Sequence, residues 1–164
     1  MSHNELVEIG YKWLDTRCGV VFKELTSLGP FREIPDVIGF ISEGSFLLEA
    51  KTSRSDFFND TKKRFRMKPH HGMGDWRFII CEKGIIEKGE VILMPGTWGL
   101  IEVNEKGKAK MRFNPFGKGN IYSNWERNEK NQVAEIQLMY SALRRLHKKG
   151  LTEKIYNNPN HTYI

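Results

Sequence analysis

Apolar positions along this chain recur with two periods, and the switches between them divide it into elements. Leu6, Ile9, Trp13 and Leu14 fall near helical spacing, so residues 4–16 read as a helix capped by Asn4 and closed by Gly19. Val20-Val21-Phe22-Lys23-Glu24-Leu25 reads as a first strand, with Ser27-Leu28-Gly29-Pro30 as the turn after it. Two short apolar strands follow, Asp36 to Ile41 and Ser45 to Lys51, joined by Ser42-Glu43-Gly44 at hairpin spacing. Ser53 or Ser55 then caps a helix running to about Phe65, and the glycine-bearing stretch from Met67 to Asp75 reads as a polar loop. Trp76 to Cys81 and Trp98 to Val103 are strands rich in aromatic and β-branched residues, and Lys108 to Phe113 pairs with the second across Glu105-Lys106-Gly107.

From about Asn124 to Lys149 the apolar positions Val133, Ile136, Tyr140 and Leu143 repeat in steps of three and four, which marks an amphipathic helix stopped by Gly150. The simpler expectation is that this stripe faces the core; docking of a partner or of a second copy is the alternative. Asn157-Asn158-Pro159-Asn160 carries no core pattern and reads as a loosely ordered tail over residues 151–164. Together these elements predict one α/β domain over residues 1–150, a central mixed sheet of four to six strands flanked by the N-terminal, middle and C-terminal helices.

Composition narrows the class. A chain of 164 residues with 39% hydrophobic and 28% charged side chains belongs among globular proteins. Its apolar runs stay short of the ~18 residues of a spanning helix. Met-Ser-His-Asn-Glu has no basic stretch leading into an apolar one, so a cytoplasmic location is expected. Cys18 and Cys81 lie far apart without metal-ligand spacing and read as buried thiols. The net charge of +6 is unevenly distributed. Residues 1–50 carry a net −4, whereas residues 51–77 carry a net +5 because Lys51, Arg54, Lys62, Lys63, Arg64, Arg66, Lys68 and Arg77 outnumber Asp56, Asp60 and Asp75. An acidic third beside a basic segment suits a protein that holds cations and grips a polyanion, although a solvated charged helix has the same composition.

The candidate chemistry lies where these regions meet. Alternation along a strand puts Glu49 and Lys51 on one face, and the hairpin brings Asp36 alongside them. Two converging carboxylates repel, and a bound divalent cation resolves that repulsion. Oxygen donors, with the backbone carbonyl of Ala50 as a further ligand, favour Mg²⁺ or Mn²⁺. Such an ion activates water for phosphodiester hydrolysis, and Lys51 would orient that water and offset charge on the phosphate. The competing reading makes Glu49 and Lys51 an exposed strand face.

The segments Ile34-Pro35-Asp36-Val37-Ile38-Gly39 and Leu48-Glu49-Ala50-Lys51 resemble the two signatures of the PD-(D/E)XK, or restriction-endonuclease-like, superfamily. Glu49 to Lys62, with Ser-Arg-Ser-Asp-Phe after the lysine, is similar to the MmcB-like branch, as are the strands at Trp76 and Trp98; the likeness spans roughly residues 4–113. It implies a restriction-endonuclease-like fold and a metal-dependent, DNA-associated, repair-linked nuclease. It also implies a further acid on the first helix, for which Glu5 is the first choice and Glu8 the rival; both equally suit the positive end of a helix dipole. The Gly-rich insertion at Met67–Asp75 and the small Ala50 depart from the pattern.

Arg54, Lys62, Lys63, Arg64 and Arg66 follow the lysine directly, so phosphate contact is best motivated there. Asp56, three residues beyond Ser53, is expected to cap the helix, and Asp60 has no assigned part. His70 and His71 read as exposed loop residues, and Trp76, Phe78 and Trp98 as sheet core rather than base-stacking platforms. Two other function classes stay open: a nucleic-acid-binding module of the same fold without turnover, and an interaction protein or homodimer using the C-terminal stripe.

Overall fold

Ser2, two residues before Asn4, caps the first helix. Its hydroxyl accepts from the Glu5 N–H, and the Glu5 carboxylate accepts from the Ser2 N–H. This capping box satisfies two donors that a helix start otherwise leaves open. A computed structural model describes residues 1–27 and 33–156; the turn expected at 28–30 and the tail beyond 156 lie outside the described residues. Helix α1 spans His3–Asp15 and buries Leu6, Val7, Gly10 and Leu14, with Ile9 and Trp13 at the edge of that contact.

Six strands follow one another in space as in sequence: β1 Val20–Lys23, β2 Val37–Ile41, β3 Gly44–Lys51, β4 Trp76–Glu82, β5 Trp98–Val103 and β6 Ala109–Phe113. The β1–β2, β2–β3 and β5–β6 pairs are antiparallel, whereas β3–β4 and β4–β5 are parallel. Parallel neighbours need crossovers. Helices α2 (Arg54–Thr61) and α3 (Arg64–Met67) lie in the first and α4 (Lys88–Ile92) in the second. The sheet pattern of short apolar runs is thus realised as a mixed α/β fold. Helix α4 has no counterpart in the sequence reading, being five residues long and recognisable mainly by its Glu87–Glu90 capping box.

Alternate residues of the central strands enter two apolar layers. On one side Phe46, Leu48, Ala50, Phe78 and Ile80 pack with Leu6, Val7 and Leu14 of α1. On the other Ile38, Leu47, Ile79, Cys81 and Leu100 meet Phe57 of α2, Val91 of α4 and, from α5 (Gln132–Lys148), Ala134 and Leu138. Trp76, Phe78 and Trp98 are buried, as expected of sheet core, and so is Trp125. Cys81 is buried and Cys18 partly so, and burial pushes their thiols up to about 12 and about 11. Among the described residues no helix is long and apolar enough to cross a membrane.

Two expectations are corrected. The α5 stripe points outward: Val133, Ile136, Tyr140 and Leu143 are each more than half exposed. The inward face carries Ala134, Glu135, Leu138 and Ser141 instead. Its one buried acid is held by a polar network, since Glu135 accepts from Ser45 Oγ at 2.6 Å, Gly74 N–H at 2.8 Å and Lys130 Nζ at 2.7 Å. The stretch before β4 is not an open loop either. Gly72, Met73, Gly74 and Asp75 are buried, and the enclosed Arg77 guanidinium donates to the carbonyls of Pro69, Gly72, Met73, Gly74 and Glu129. One buried side chain thereby serves five backbone acceptors, of which Pro69 and Gly72 also accept from the Gly72 and Asn131 N–H groups.

Candidate active site

The β2–β3 ladder runs out at Val37↔Leu48. Just beyond it the Asp36 carboxylate replaces the missing strand, its Oδ2 accepting from the Ala50 N–H at 2.7 Å. Glu49 and Lys51 alternate with Leu48 and Ala50 and share the face of Leu47, the side covered by α2. The structure therefore brings Asp36, Glu49, Ala50 and Lys51 together at one end of the paired strands. Glu49 and Lys51 are each only 4% exposed, which removes the exposed-strand-face reading.

Burial of this much charge is possible because the charges are matched. Lys51 Nζ lies 3.6 Å from Glu49 Oε2 and 3.4 Å from Asp60 Oδ1. Arg66 reaches three carboxylates: Nη1 to Glu33 Oε1 at 2.6 Å, Nη2 to Glu49 Oε1 at 2.8 Å and Nε to Asp60 Oδ2 at 2.9 Å. The second oxygen of Glu33 accepts from the Met73 N–H, and Lys63 Nζ lies 2.5 Å from Asp60 Oδ1. Trp98 stacks against the Arg66 guanidinium, 4.9 Å from ring centre to Cζ. Short segments place these groups: Ser53 caps α2 by accepting from the Asp56 N–H, as expected, and α2 then presents Asp60 inward.

The electrostatics follow from this packing. Burial pushes Asp36 up to about 6, the Glu49 carboxylate adds to the effect, and the Ala50 N–H, His3 and Lys51 oppose it. Burial would also raise Asp60, but Arg66, Lys51 and Lys63 outweigh it and hold the carboxyl down at about 2. Glu33 is raised by burial against the pull of Arg66. Glu49 Oε1 is fully buried, and the Arg66 ion pair at 2.8 Å meets it outside hydrogen-bond alignment.

The remaining candidates are placed differently. Glu5 spends its carboxylate on Ser2, and Glu8 pairs with Lys23, so neither first-helix acid joins Asp36 and Glu49. The residue α1 does bring to the site is His3, whose Nε2 lies 3.5 Å from Asp36 Oδ1. Arg66 is 2% exposed and held by three carboxylates, which corrects its expected part as a surface phosphate contact. Arg54 is exposed but paired with Glu90; Lys62 is exposed, and Lys63 is half exposed while reaching Asp60. The Arg64 side chain lies outside what is described. Glu33 and His3 are the members that sequence reasoning missed, having no motif; Asp60 was left without a part, and Arg66 was expected in a different one.

An all-oxygen donor set suits Mg²⁺ or Mn²⁺. Among the described residues no three His, Cys, Asp or Glu side chains converge as a metal-holding group. The pair of Asp36 and Glu49 beside the Ala50 backbone suits a divalent ion in one respect, since the Glu49 charge adds to burial in raising Asp36; Glu49 Oε1 already faces Arg66 Nη2 at 2.8 Å.

No family model matches this chain, and no curated protein matches it. A solved structure described as the SPO1766 protein of unknown function from Silicibacter pomeroyi is similar over 100% of this chain and 97% of its own, with a TM-score of 0.55 and 20% identity. That likeness concerns the fold, a mixed sheet flanked by helices.

Proposed function

We propose that this chain is a metal-dependent nuclease of the restriction-endonuclease-like class, hydrolysing phosphodiester bonds in DNA during repair or the processing of mobile-element DNA. The observation that carries this reading is the convergence of Asp36, Glu49 and Lys51 at the end of β2–β3, with Glu49 and Lys51 buried and Asp36 partly so. Asp36 Oδ1, Glu49 and the Ala50 carbonyl would hold the cation. Bound Mg²⁺ or Mn²⁺ supplies Lewis acidity to a phosphate oxygen and lowers the pKa of a water. Lys51 Nζ, fixed between Glu49 and Asp60, would hold the attacking water and meet the negative charge that grows on the phosphate. Lys62 and Lys63 would position the DNA backbone. Glu5 takes no part in this scheme, since its carboxylate closes the capping box.

A second reading is favoured by one observation. Arg66 already neutralises Glu49, and a site that provides its own cation in this way suits a nucleic-acid-binding module without turnover. Calorimetric titration with Mn²⁺ separates the two. The nuclease reading expects binding that Asp36→Asn weakens at least about tenfold, since each carboxylate ligand is a major part of such a site. Equal affinity in wild type and variant, or no binding at all, returns the site to Arg66 and the module.

A further inference from the structure

We infer that the outward face of α5 is the surface on which two copies of this chain pair, antiparallel, about a twofold axis between Met139 and Tyr140. Val133, Ile136, Tyr140, Leu143 and Leu146 lie along one side of the helix at 54%, 55%, 59%, 54% and 40% exposure. The other side is committed to the sheet through Ala134, Leu138 and Ser141, so the stripe cannot turn inward without breaking that layer. Between Ile136 and Leu143 there is no charged residue. Interfaces show this depletion at their centre together with aromatic and Met enrichment, and Met139 and Tyr140 occupy the centre here.

Three features select a second copy as the occupant. The first is the spacing. Reversing the helix about the midpoint of Met139 and Tyr140 sets Ile136 against Leu143 and Val133 against Leu146, so the stripe is complementary to itself, as a twofold contact requires. The second is charge. The exposed Glu129 precedes the helix, with its backbone carbonyl held by Arg77, and the exposed Lys148 and Lys149 end it. Antiparallel pairing places Glu129 of each copy beside Lys148 and Lys149 of the other and opposes the two helix dipoles. Parallel pairing would instead stack the basic ends on each other. The third is area. Five half-exposed apolar side chains offer on the order of 400–500 Å² per copy, the size of the largest apolar patch on a typical single chain, which is often functional. With a polar rim, two copies bury on the order of 1,000 Å², about the lower limit of a specific interface.

Sedimentation equilibrium from about 1 to about 200 µM tests this. The wild type should pass from the mass of one chain to that of two. Tyr140→Lys, which sets two cations against each other beside the axis, should weaken association by on the order of thirtyfold or more. Glu129→Lys should weaken it less, and adding Lys148→Glu and Lys149→Glu to that variant should restore it. All these positions are solvent-exposed, so circular dichroism at dilutions where every variant is a single chain should match wild type and leave association as the property that moves. A wild type that stays monomeric to the top of the range overturns the inference, including the case in which that monomer binds anionic vesicles through α5. A dimer indifferent to both Tyr140→Lys and the charge exchange also overturns it, because its interface then lies elsewhere.

Discussion

Replacing Arg66 by Met tests whether the buried cluster is one electrostatic unit. The guanidinium pairs with Glu33, Glu49 and Asp60 at 2.6, 2.8 and 2.9 Å; without it Lys51 stays beside Glu49 and Asp60, Lys63 beside Asp60, and Arg77 acts on Glu33. Methionine keeps the packing against Trp98 while removing the charge. Breaking a buried ion pair from one side costs about 3–5 kcal/mol, a large share of the ~5–15 kcal/mol that holds a domain together. Part of this cost can be followed through Asp60. Its carboxyl sits at about 2 rather than 3.8, so its ionised form contributes on the order of 2 kcal/mol; that contribution is complete above the unfolded value and is lost as pH falls from about 4 to 2. In the variant the sign reverses. Buried carboxyls without their cation titrate above their unfolded values, and the folded state then loses stability as pH rises. Urea unfolding at pH 4 and pH 7 should therefore show a deficit of about 3–5 kcal/mol at neutral pH and a clearly smaller one at pH 4. Arg66→Lys, with charge but one point of contact, should fall between. A deficit under about 1 kcal/mol, or one equal at both pH values, would refute the idea that Arg66 holds the cluster.

The site's other groups give further expectations. Asp36, pushed up to about 6, opposes folding increasingly as pH rises from about 4 through 6. In chelator-treated protein Asp36→Asn should consequently raise stability by about 1–3 kcal/mol at pH 8 and little at pH 4, and a pH-independent difference would contradict this. Lys62→Ala should reduce the salt slope of DNA binding by about one unit, measured by fluorescence anisotropy across a salt series; an unchanged slope makes Lys62 plain solvated surface. Arg77→Met removes a donor from five backbone carbonyls, of which Pro69 and Gly72 keep the N–H groups of Gly72 and Asn131, and should cost at least about 3 kcal/mol, with hydrogen exchange accelerated first over residues 69–75. Exchange that stays slow there would mean that water replaces the guanidinium readily.

Periodicity made the sheet legible, and packing decided the rest. Every strand expected from alternation or an apolar run is present within a few residues, because strand burial is written in Val, Ile, Phe and Trp at neighbouring positions. The spacing of Asp36, Glu49 and Lys51 also predicted their meeting, since it depends only on a hairpin and on the two-residue period. The phase of α5 was not legible. Its stripe is the more apolar face, and the inward face became tolerable only through contacts that Ser45, Gly74 and Lys130 make with Glu135 from distant parts of the chain. Arg66 and Arg77 were hidden for the same reason. A basic residue in a basic run reads as surface until three carboxylates or five carbonyls are found around it.

The central claim is that Lys51 acts on chemistry and not on binding. Its most direct test is to incubate wild type and Lys51→Ala with Mg²⁺ or Mn²⁺ and labelled linear, nicked, flapped and junction DNAs, measuring DNA affinity in parallel. An ammonium that serves only the developing transition state lowers turnover far more than affinity when removed. The account predicts cleavage of at least one substrate by the wild type, a loss of on the order of a hundredfold or more in Lys51→Ala, and DNA affinity changed by less than about threefold. Absence of cleavage by the wild type on every substrate with either metal, or equal rates for the two proteins, would contradict it.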